Sequence, residues 1–283
     1  MNPVPDLPND LASTVRAALR EDIGSGDMSA ALIPVDAQST ASVICREAAV
    51  LCGTAWVDEV FDQLDNSISI NWQASDGDVI RADQQLCTLH GNARALLTGE
   101  RSALNFLQTL SATATQTRAF VDAVRDTGAV ILDTRKTLPG LRAAQKYAVT
   151  CGGGSNHRMG LFDAFLIKEN HILAAGSIAA AVSAARAQQP ALKVEVEVEN
   201  LDEVQQALDA GADQLLLDNM RLTTLREAVA LNREQYNCRA KLEASGGVSL
   251  DTVRDIAQTG VDFISVGSLT KDVRAVDLSM RFQ

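Results

Sequence analysis

The sequence predicts an α/β protein in which a smaller mixed domain precedes an α/β barrel. Three observations support this prediction. Hydrophobic residues make up 46% of the 283 residues and aromatic residues only 4%, which suits helices packed tightly around short buried strands. Short apolar runs alternate with helical stretches through the second half of the chain. Nearly all of these runs end in polar residues or glycine, as barrel strands do where an active site is built.

The first hundred residues mix helical and strand-like patterns. A helix is predicted over residues 10–23, with Asp10 as its N-cap, because apolar residues recur there at helical spacing until Gly24. A second helix is predicted over residues 56–64, where the apolar residues share one face. Strands are predicted at Ala41–Ala49, Ile68–Trp72 and Gln85–His90. This mixture predicts a small α+β domain up to about residue 100.

The rest of the chain begins with a long helical segment and continues as repeated βα units. Residues 100–125 contain no Gly or Pro and predict one or two helices that link the domains. Six strands are predicted after it, at Ala129–Asp133, Phe165–Ile167, Val194–Val198, Gln214–Leu217, Leu242–Ala244 and Phe263–Val266. Such alternation fits a closed barrel or an open doubly wound sheet. Polar residues at all six strand ends favour the barrel, because an open sheet binds its ligand at a single switch point.

Charge and cysteine content limit the class of protein. A net charge of −11 argues against a nucleic-acid or anionic-membrane surface, which would need clustered Lys and Arg. The five cysteines include no C-x-x-C pair, so neither a disulfide framework nor a zinc site is indicated, and reduced thiols fit best. The sequence has no signal-peptide pattern and no apolar run of the roughly 20 residues that span a bilayer. We therefore expect a cytoplasmic protein.

A locally basic stretch predicts a site for a strongly anionic ligand. Residues 133–171 hold six basic residues, Arg135, Lys136, Arg142, Lys146, Arg158 and Lys168, against three acidic ones, Asp133, Asp163 and Glu169. Arg binds carboxylates bidentately and Lys adds a point charge, so the set suits a dicarboxylate. The glycine run 152–154 would let the backbone approach such a ligand. The alternative is a solvated face with ordinary surface ion pairs.

Acidic and glycine residues at the later strand ends predict a second kind of ligand. Glu197 and Asp218 lie at the ends of successive strands, where they could bind a divalent metal, sugar hydroxyls or a developing oxocarbenium charge. The alternating VEVEVE run could instead be an edge strand with Glu facing solvent. Ser245-Gly246-Gly247 and Gly267-Ser268 end the last two strands, where backbone N–H groups and a helix N-terminus can hold a phosphate. These residues predict an enzyme acting on an anionic ring or acid and a phosphorylated sugar.

The chain resembles the quinolinate phosphoribosyltransferases over nearly its whole length. The matching stretches, in family order, are EDIGSGDMS, LTGERSALNFLQTLSATAT, LDTRKTLPGLRAAQKYAVTCGGGSNHRMGLFDAFLIKENH, VEVEVENLDEV, GADQLLLDN, LEASGGV and FISVGSLT. The resemblance implies an N-terminal α/β sandwich at residues 1–105, against which a tail at 273–283 packs back. It also implies an incomplete, seven-stranded α/β barrel at residues 106–272, of which the six strands above are part.

The resemblance also implies a reaction and residue roles. Quinolinate and phosphoribosyl pyrophosphate would give nicotinate mononucleotide, pyrophosphate and CO₂, a step of pyridine nucleotide (NAD) biosynthesis. The quinolinate pocket would comprise Arg101, Arg135, Lys136, His157, Arg158 and Lys168, with Arg101 contributed by the neighbouring subunit of a homodimer. Phosphoribosyl pyrophosphate would bind Glu197, Asp218, Ser245, Gly246, Gly247, Val266, Gly267 and Ser268. The catalytic residues would be Lys136, Glu197 and Asp218. Glu197 and Asp218 would hold Mg²⁺, directly or through water, and Asn170 and His171 would support the site.

Three other interpretations remain open on the sequence. A Lys at a barrel strand end, here Lys168, could be the nucleophile of a Schiff-base aldolase. A related phosphoribosyltransferase could act on nicotinate or another anionic acceptor. A regulatory homo-oligomer could retain the site as a ligand sensor.

Overall fold

The structure is a computed structural model that describes residues 6–283 and divides into two compact units. The first unit takes in the chain up to Arg118, together with Thr137–Gly153 and Ser268–Gln283. The second unit is made of Ala119–Lys136 and Gly154–Gly267. A domain boundary near residue 105 remains a prediction, and the start of the predicted first domain, residues 1–5, lies outside the described residues.

The helices and strands alternate along most of the chain. In chain order they are α1 (Leu11–Ile23), β1 (Gln38–Cys45), β2 (Ala49–Val50), α2 (Thr54–Leu64), β3 (Ser69–Trp72), β4 (Val79–Ile80), β5 (Gln85–Asn92), α3 (Ala93–Ala123), β6 (Val130–Leu132), α4 (Arg142–Cys151), β7 (Phe165–Ile167), α5 (Glu169–Ala175), α6 (Ile178–Gln188), β8 (Val194–Val198), α7 (Leu201–Ala210), β9 (Gln214–Asp218), α8 (Leu222–Tyr236), β10 (Lys241–Ser245), α9 (Val253–Ala257), β11 (Phe263–Ser265), α10 (Ser268–Lys271) and β12 (Leu278–Phe282). A single 3₁₀ turn lies at Ala30–Leu32. Within residues 6–283, no helix is both long and apolar enough to cross a membrane.

The first unit is built on a four-stranded antiparallel sheet of order β12-β1-β5-β3. The C-terminal strand β12 pairs with β1, with Met280 opposite Val43, so the tail of the chain belongs to this sheet. Trp56 and Phe61 of α2 are fully buried in the core of this unit, which α1, α3 and α4 complete. Burying such side chains contributes about 1.5–3 kcal/mol each.

Three details of the first unit differ from the sequence predictions. The predicted strand over 41–49 is two strands, because β1 ends at Cys45 and the chain turns before β2 pairs with β4. Asp10 precedes α1, but its side chain makes no capping hydrogen bond. The predicted helix from residue 100 starts at Ala93 and is one helix. Gly99 lies inside this helix. Glycine is required at this position, because an added Cβ would come within 2.6 Å of the Phe61 ring.

The second unit contains a six-stranded parallel sheet of order β6-β11-β10-β9-β8-β7. All six predicted strands are confirmed, and no end differs by more than one residue. The first strand pairs with the last, which is the order of an α/β barrel that stays open between β6 and β7. At that opening Ser155 forms an isolated parallel bridge with Leu132. The seventh strand of the expected barrel is thus reduced to one bridge.

Strand β8 has a partner on each side and both of its faces are covered. It pairs with β7 and with β9, and Val194, Val196 and Val198 are fully buried on one face. Successive residues of a strand point to opposite faces, so Glu195 and Glu197 share the other face. Glu195 is fully buried there. The interpretation of VEVEVE as an edge strand with solvent-facing Glu is therefore wrong.

Candidate active site at the carboxyl ends of the parallel strands

Most of the predicted site residues follow the carboxyl ends of the parallel strands of the second unit. They are Arg135 and Lys136 after β6, His157 and Arg158 after the bridge at Ser155, Lys168 after β7, Glu197 on β8, Asp218 on β9, Ser245 with Gly246 and Gly247 at the end of β10, and Val266 with Gly267 after β11. Neighbouring parallel strands end at the same edge of a sheet, so these residues share one edge.

The loop that carries His157 and Arg158 is fixed by a buried carboxylate. Asp133, which follows β6, is fully buried. Its Oδ1 accepts the backbone N–H of His157 at 2.9 Å, and its Oδ2 accepts the side-chain amide of Asn156 at 2.6 Å. The sequence places Asp133 at a strand end but gives it no role. Its role in the structure is to hold the loop against the end of β6.

Arg135 and Arg158 lie close enough for their charges to repel. Burial lowers the pKa of Arg158, and the positive charge of Arg135 lowers it further. The Nε of Arg135 is buried and has no hydrogen-bond partner among the described residues. One guanidinium N–H of Arg158 donates to the carbonyl of Ala164 at 3.3 Å. Two adjacent cations and an unsatisfied buried donor form a site that an anion would stabilise.

Lys168 and Glu197 form an ion pair between the ends of β7 and β8. The Glu197 side chain is 13% exposed and that of Lys168 is 43% exposed. The pair brings a residue predicted for quinolinate into contact with one predicted for the phosphoribosyl substrate and Mg²⁺. The imidazole Nδ1 of His171 accepts the backbone N–H of Lys168 at 3.0 Å, whereas Asn170 donates to the neighbouring Glu169 at 3.0 Å.

Asn219 links the ends of β9 and β10 and requires glycine at position 246. Its side-chain amide donates to Asp218 at 2.7 Å, and its backbone N–H donates to the carbonyl of Ser245 at 2.9 Å. Gly246 has a φ of +102°, and an added Cβ would lie 2.1 Å from Asn219 Oδ1. Asn219 directly follows Asp218 at the end of a predicted strand, but no role is assigned to it from the sequence. The strand-end position was the signal that could have found it.

Lys136 lies beside Gly267. A Cβ added at Gly267 would be 3.1 Å from Cδ of Lys136 and 3.7 Å from its ammonium nitrogen. Glycine therefore gives the Lys136 side chain room against the backbone that follows β11. The side chain of Val266 is fully buried, so this residue can offer a ligand only its backbone. Ser268 follows as the first residue of α10.

Below the strand ends, His157 meets a group of buried polar side chains. Its Nε2 lies 2.9 Å from Oε2 of Glu195 and 3.3 Å from Oε2 of Glu243, and both carboxylates are fully buried. The side-chain amide of Gln214 donates to both Glu195 and Glu243. We call Glu195, Gln214 and Glu243 the carboxylate floor. None of the three was predicted, because only their burial distinguishes them from solvent-facing residues of a strand.

The His157 pKa reflects the balance between burial and these carboxylates. Burial lowers it, but the hydrogen bonds and charges of Glu195 and Glu243 outweigh burial and raise it to about 9. Burial also raises the pKa of Glu243, with the charge of Glu195 adding to the effect. The pKa of Glu195 is lowered, since the contact with His157 outweighs its burial.

Three predicted features belong to the first unit. Arg142 and Lys146 lie on α4, so the basic stretch of the sequence is divided between the units. Gly152 ends α4, and an added Cβ would lie 2.5 Å from the backbone oxygen of Ala114 in α3. Close helix packing explains this glycine, and the approach of a ligand to the backbone of the run 152–154 stays a prediction. Arg101 lies exposed on α3.

A group of possible metal ligands is buried in the first unit, where its members make structural contacts. Ligand atoms of Cys52, Asp76 and Cys151 lie within 4.8 Å of one another. Asp76 already accepts two backbone N–H groups at the start of α2 and the Tyr147 hydroxyl at 2.9 Å. Burial raises the pKa of the Cys52 thiol, so it stays protonated. The group ties α2 to α4.

An incomplete parallel barrel with paired Arg, strand-end carboxylates and glycine turns at one edge defines an α/β-barrel enzyme for anionic, phosphate-bearing substrates. Two family models match the chain. They describe the N-terminal domain of quinolinate phosphoribosyl transferase at residues 27–111 and its C-terminal domain at residues 113–281. The chain belongs to this family, as its motifs predict, and is a phosphoribosyltransferase.

Individual relatives agree over almost the whole chain. A Bacillus subtilis protein named as a probable nicotinate-nucleotide pyrophosphorylase [carboxylating] is 41% identical and aligns over 92% of this chain and 89% of its own length. A tobacco protein named as quinolinate phosphoribosyltransferase [decarboxylating] 2b, mitochondrial, is 40% identical over 96% of this chain and 82% of its own. The solved structure of the Francisella tularensis nicotinate-nucleotide pyrophosphorylase has a TM-score of 0.93 at 47% identity, covering 99% of both chains.

Proposed function

We propose that the protein joins quinolinate to phosphoribosyl pyrophosphate and forms nicotinate mononucleotide, pyrophosphate and CO₂, within NAD biosynthesis. The observation that carries this proposal is the pair Arg135 and Arg158. Their mutual repulsion and the unpartnered Nε of Arg135 destabilise the ligand-free protein. The two adjacent carboxylates of quinolinate would neutralise both guanidinium groups and satisfy that donor, with Lys136 and Lys168 adding positive charge and His157 next to Arg158 in the lining of the pocket.

The phosphoribosyl substrate is assigned to the glycine turns and the acidic strand ends. The backbone at Ser245–Gly247 and at Val266–Ser268 would hold the 5-phosphate, because glycine leaves N–H groups accessible there. Lys136, beside Gly267, would neutralise charge on the phosphoribosyl substrate. Glu197 and Asp218, on one face of adjacent strands, would accept the ribose hydroxyls.

The same two carboxylates fit Mg²⁺, which the reaction is proposed to need. Carboxylate oxygens are the ligands this ion prefers, and it keeps several waters and contacts substrate phosphates. Glu197 is paired with Lys168, so its carboxylate is available to a cation once the lysine turns to an anionic substrate. When bound, Mg²⁺ would neutralise charge on the pyrophosphate.

The reaction then needs orientation and charge balance from the chain. The pyridine nitrogen attacks C1 of the ribose with its lone pair, and the bond from C1 to the pyrophosphate oxygen breaks with its electrons leaving on pyrophosphate. Glu197 and Asp218 would stabilise the oxocarbenium-like centre by their negative charge. The quaternary nitrogen then accepts electron density as the bond to the 2-carboxylate breaks, CO₂ leaves, and C2 takes a proton from solvent.

We also propose that the active protein is a homodimer in which Arg101 enters the site of the neighbouring subunit. Arg101 is exposed on α3, as a residue that serves another chain must be. An Arg101→Ala homodimer would be inactive, and mixing it with Lys168→Ala subunits would restore part of the activity, since one whole site forms. A mixture that remains inactive after subunit exchange would contradict a shared site.

A direct assay tests the reaction. The protein is incubated with quinolinate, phosphoribosyl pyrophosphate and Mg²⁺, and nicotinate mononucleotide and CO₂ are measured, with nicotinate as a competing acceptor. Equal amounts of mononucleotide and CO₂ from quinolinate are expected. Turnover of nicotinate alone would move the assignment to the related transferase, and binding without turnover would favour a sensor. A Schiff-base role gains no support, because Lys168 pairs with Glu197 and is 43% exposed, whereas a nucleophilic lysine is activated by an apolar pocket.

A further inference from the structure

Both ring nitrogens of His157 face groups of the protein itself. Its Nε2 faces Glu195 and Glu243 of the carboxylate floor at 2.9 and 3.3 Å. Its Nδ1 accepts the backbone N–H of Arg158 at 2.7 Å. An imidazole that accepts at Nδ1 carries its proton on Nε2, which is the nitrogen that meets the carboxylates.

The carboxylate floor is itself held by neighbouring strands. Glu195 on β8 and Gln214 on β9 are opposite each other in the sheet, and Gln214 bridges the two carboxylates. Lys193 donates to the other end of the Gln214 amide at 3.0 Å. All three floor residues are at most 1% exposed, so they can contact no substrate and can act only through a residue that does.

The backbone N–H of Arg158 donates to Nδ1, and Nε2 of the same ring faces Glu195 and Glu243. The position of Arg158 is thereby coupled to the floor.

We propose that Glu195, Gln214 and Glu243 are positioning residues that hold His157, and that His157 in turn positions Arg158 beside Arg135 for the acceptor carboxylates. His157 then acts on the substrate through Arg158 and not by offering Nε2 to it. The effect expected on the KM for quinolinate rests on the proposed function, whereas the protonation pattern of the His157 ring does not.

The kinetic experiment compares Glu195→Ala and Glu243→Ala with Val194→Ala, a fully buried residue on the opposite face of β8. We expect the floor variants to raise the KM for quinolinate about ten- to a hundred-fold, since small misplacements of a binding group have effects of that size. The KM for phosphoribosyl pyrophosphate should change little, and Val194→Ala should lower only the unfolding temperature. An unchanged quinolinate KM in folded floor variants would overturn the proposal.

A second comparison at His157 itself covers the case in which the floor variants do not fold. His157→Asn keeps an acceptor near the Nδ1 position, and His157→Gln keeps a donor near the Nε2 position. Positioning through Arg158 predicts that Asn retains more quinolinate affinity than Gln. A direct contact from Nε2 to the substrate predicts the reverse order, which would refute the proposal.

The state of the imidazole is measured by ¹⁵N NMR of the free protein. The chain has only three histidines, and the His157→Gln variant assigns the signal. Above pH 9, where the imidazole is neutral, we expect a protonated Nε2 and an unprotonated Nδ1, and loss of this pattern in Glu243→Ala. A neutral ring with its proton on Nδ1 would overturn the assignment. Absence of turnover in the wild type with the expected NMR pattern would refute the proposed reaction and leave the positioning contacts standing.

Discussion

Glycines have different roles in the two units of the chain. In the first unit, Gly99 and Gly152 lie in or at the ends of helices, where an added Cβ would collide with Phe61 or with the backbone of Ala114. In the second unit, Gly246 and Gly267 follow strands and leave room for polar groups that belong to the candidate site. Glycine in a sequence thus marks close approach, and its place at a strand end is what relates it to ligand binding.

The largest expected effect is at the paired arginines of the second unit. Arg135→Ala or Arg158→Ala should weaken quinolinate binding by two to four decades, because removing one partner of a buried charge pair costs about 3–5 kcal/mol. The unfolding temperature of the free protein should not fall, since one of two repelling cations is lost. Steady-state kinetics and thermal unfolding measure both. The control is Arg233→Ala, an exposed residue paired with Glu234 on α8, and a near-normal quinolinate KM in either site variant would contradict the assignment.

The glycines themselves can be compared directly. Gly152→Ala should lower stability by about 1–3 kcal/mol through overpacking and leave kcat/KM of the folded protein unchanged. Gly246→Ala places a Cβ at a positive φ and against Asn219, so it should cost about 1–3 kcal/mol of strain and also reduce activity. Urea unfolding and kinetics on both variants test the contrast. Equal losses of activity per folded molecule would remove the distinction between the units.

A smaller effect is expected at Asn219. Asn219→Gly keeps the left-handed backbone at φ 53° and removes the amide that binds Asp218. Losing a hydrogen bond to a charged group costs roughly 1.5 kcal/mol, so the KM for phosphoribosyl pyrophosphate should rise about ten-fold. The matched control is Asn237→Gly, which has the same φ and ends α8. If the control has the same effect, the amide of Asn219 has no specific role.

The smallest effect concerns pH and lies away from the site. Burial would raise the pKa of Asp213, but its contacts with Arg186 and the Val194 backbone lower it below the ordinary value of 3.8. Its stabilisation is therefore present above that value and lost as the pH falls through the lower, folded-state pKa. Asp213→Asn should lower the unfolding temperature slightly at neutral pH, with the difference from wild type shrinking towards pH 3. A difference that does not depend on pH would contradict this origin.

The strands of the second unit could be predicted because their apolar runs are short, evenly spaced and followed by polar residues. Candidate site residues such as Arg135 and Asp218 could be predicted because they follow or end these apolar runs. The carboxylate floor could not be predicted from apolar runs and polar strand ends. An alternating Val-Glu strand has the same sequence pattern whether Glu faces solvent or a closed interior. Burial on both faces of β8 depends on its two neighbours, which are distant in sequence.

Other structural features could not be predicted because each depends on a single residue and leaves no pattern in the sequence. The seventh strand is one bridge at Ser155 and has no apolar run to reveal it. The predicted helical segment started after Gly99, but Gly99 lies within α3, where an added Cβ would collide with Phe61 of α2. Asp133 and Asn219 act by hydrogen bonds to neighbouring loops, which residue type alone does not specify.

The single bridge between Leu132 and Ser155 has a consequence for how this enzyme could diversify. The residues assigned to the phosphoribosyl group stand on β8 to β11, where the hydrogen-bonded ladder is continuous. His157 and Arg158 stand on the segment that crosses the gap in that ladder. Insertions or exchanges in this segment would shift no strand register, so the choice of acceptor can be altered while the phosphoribosyl end stays fixed. The opening of the barrel is thus a natural place for a change of acceptor specificity.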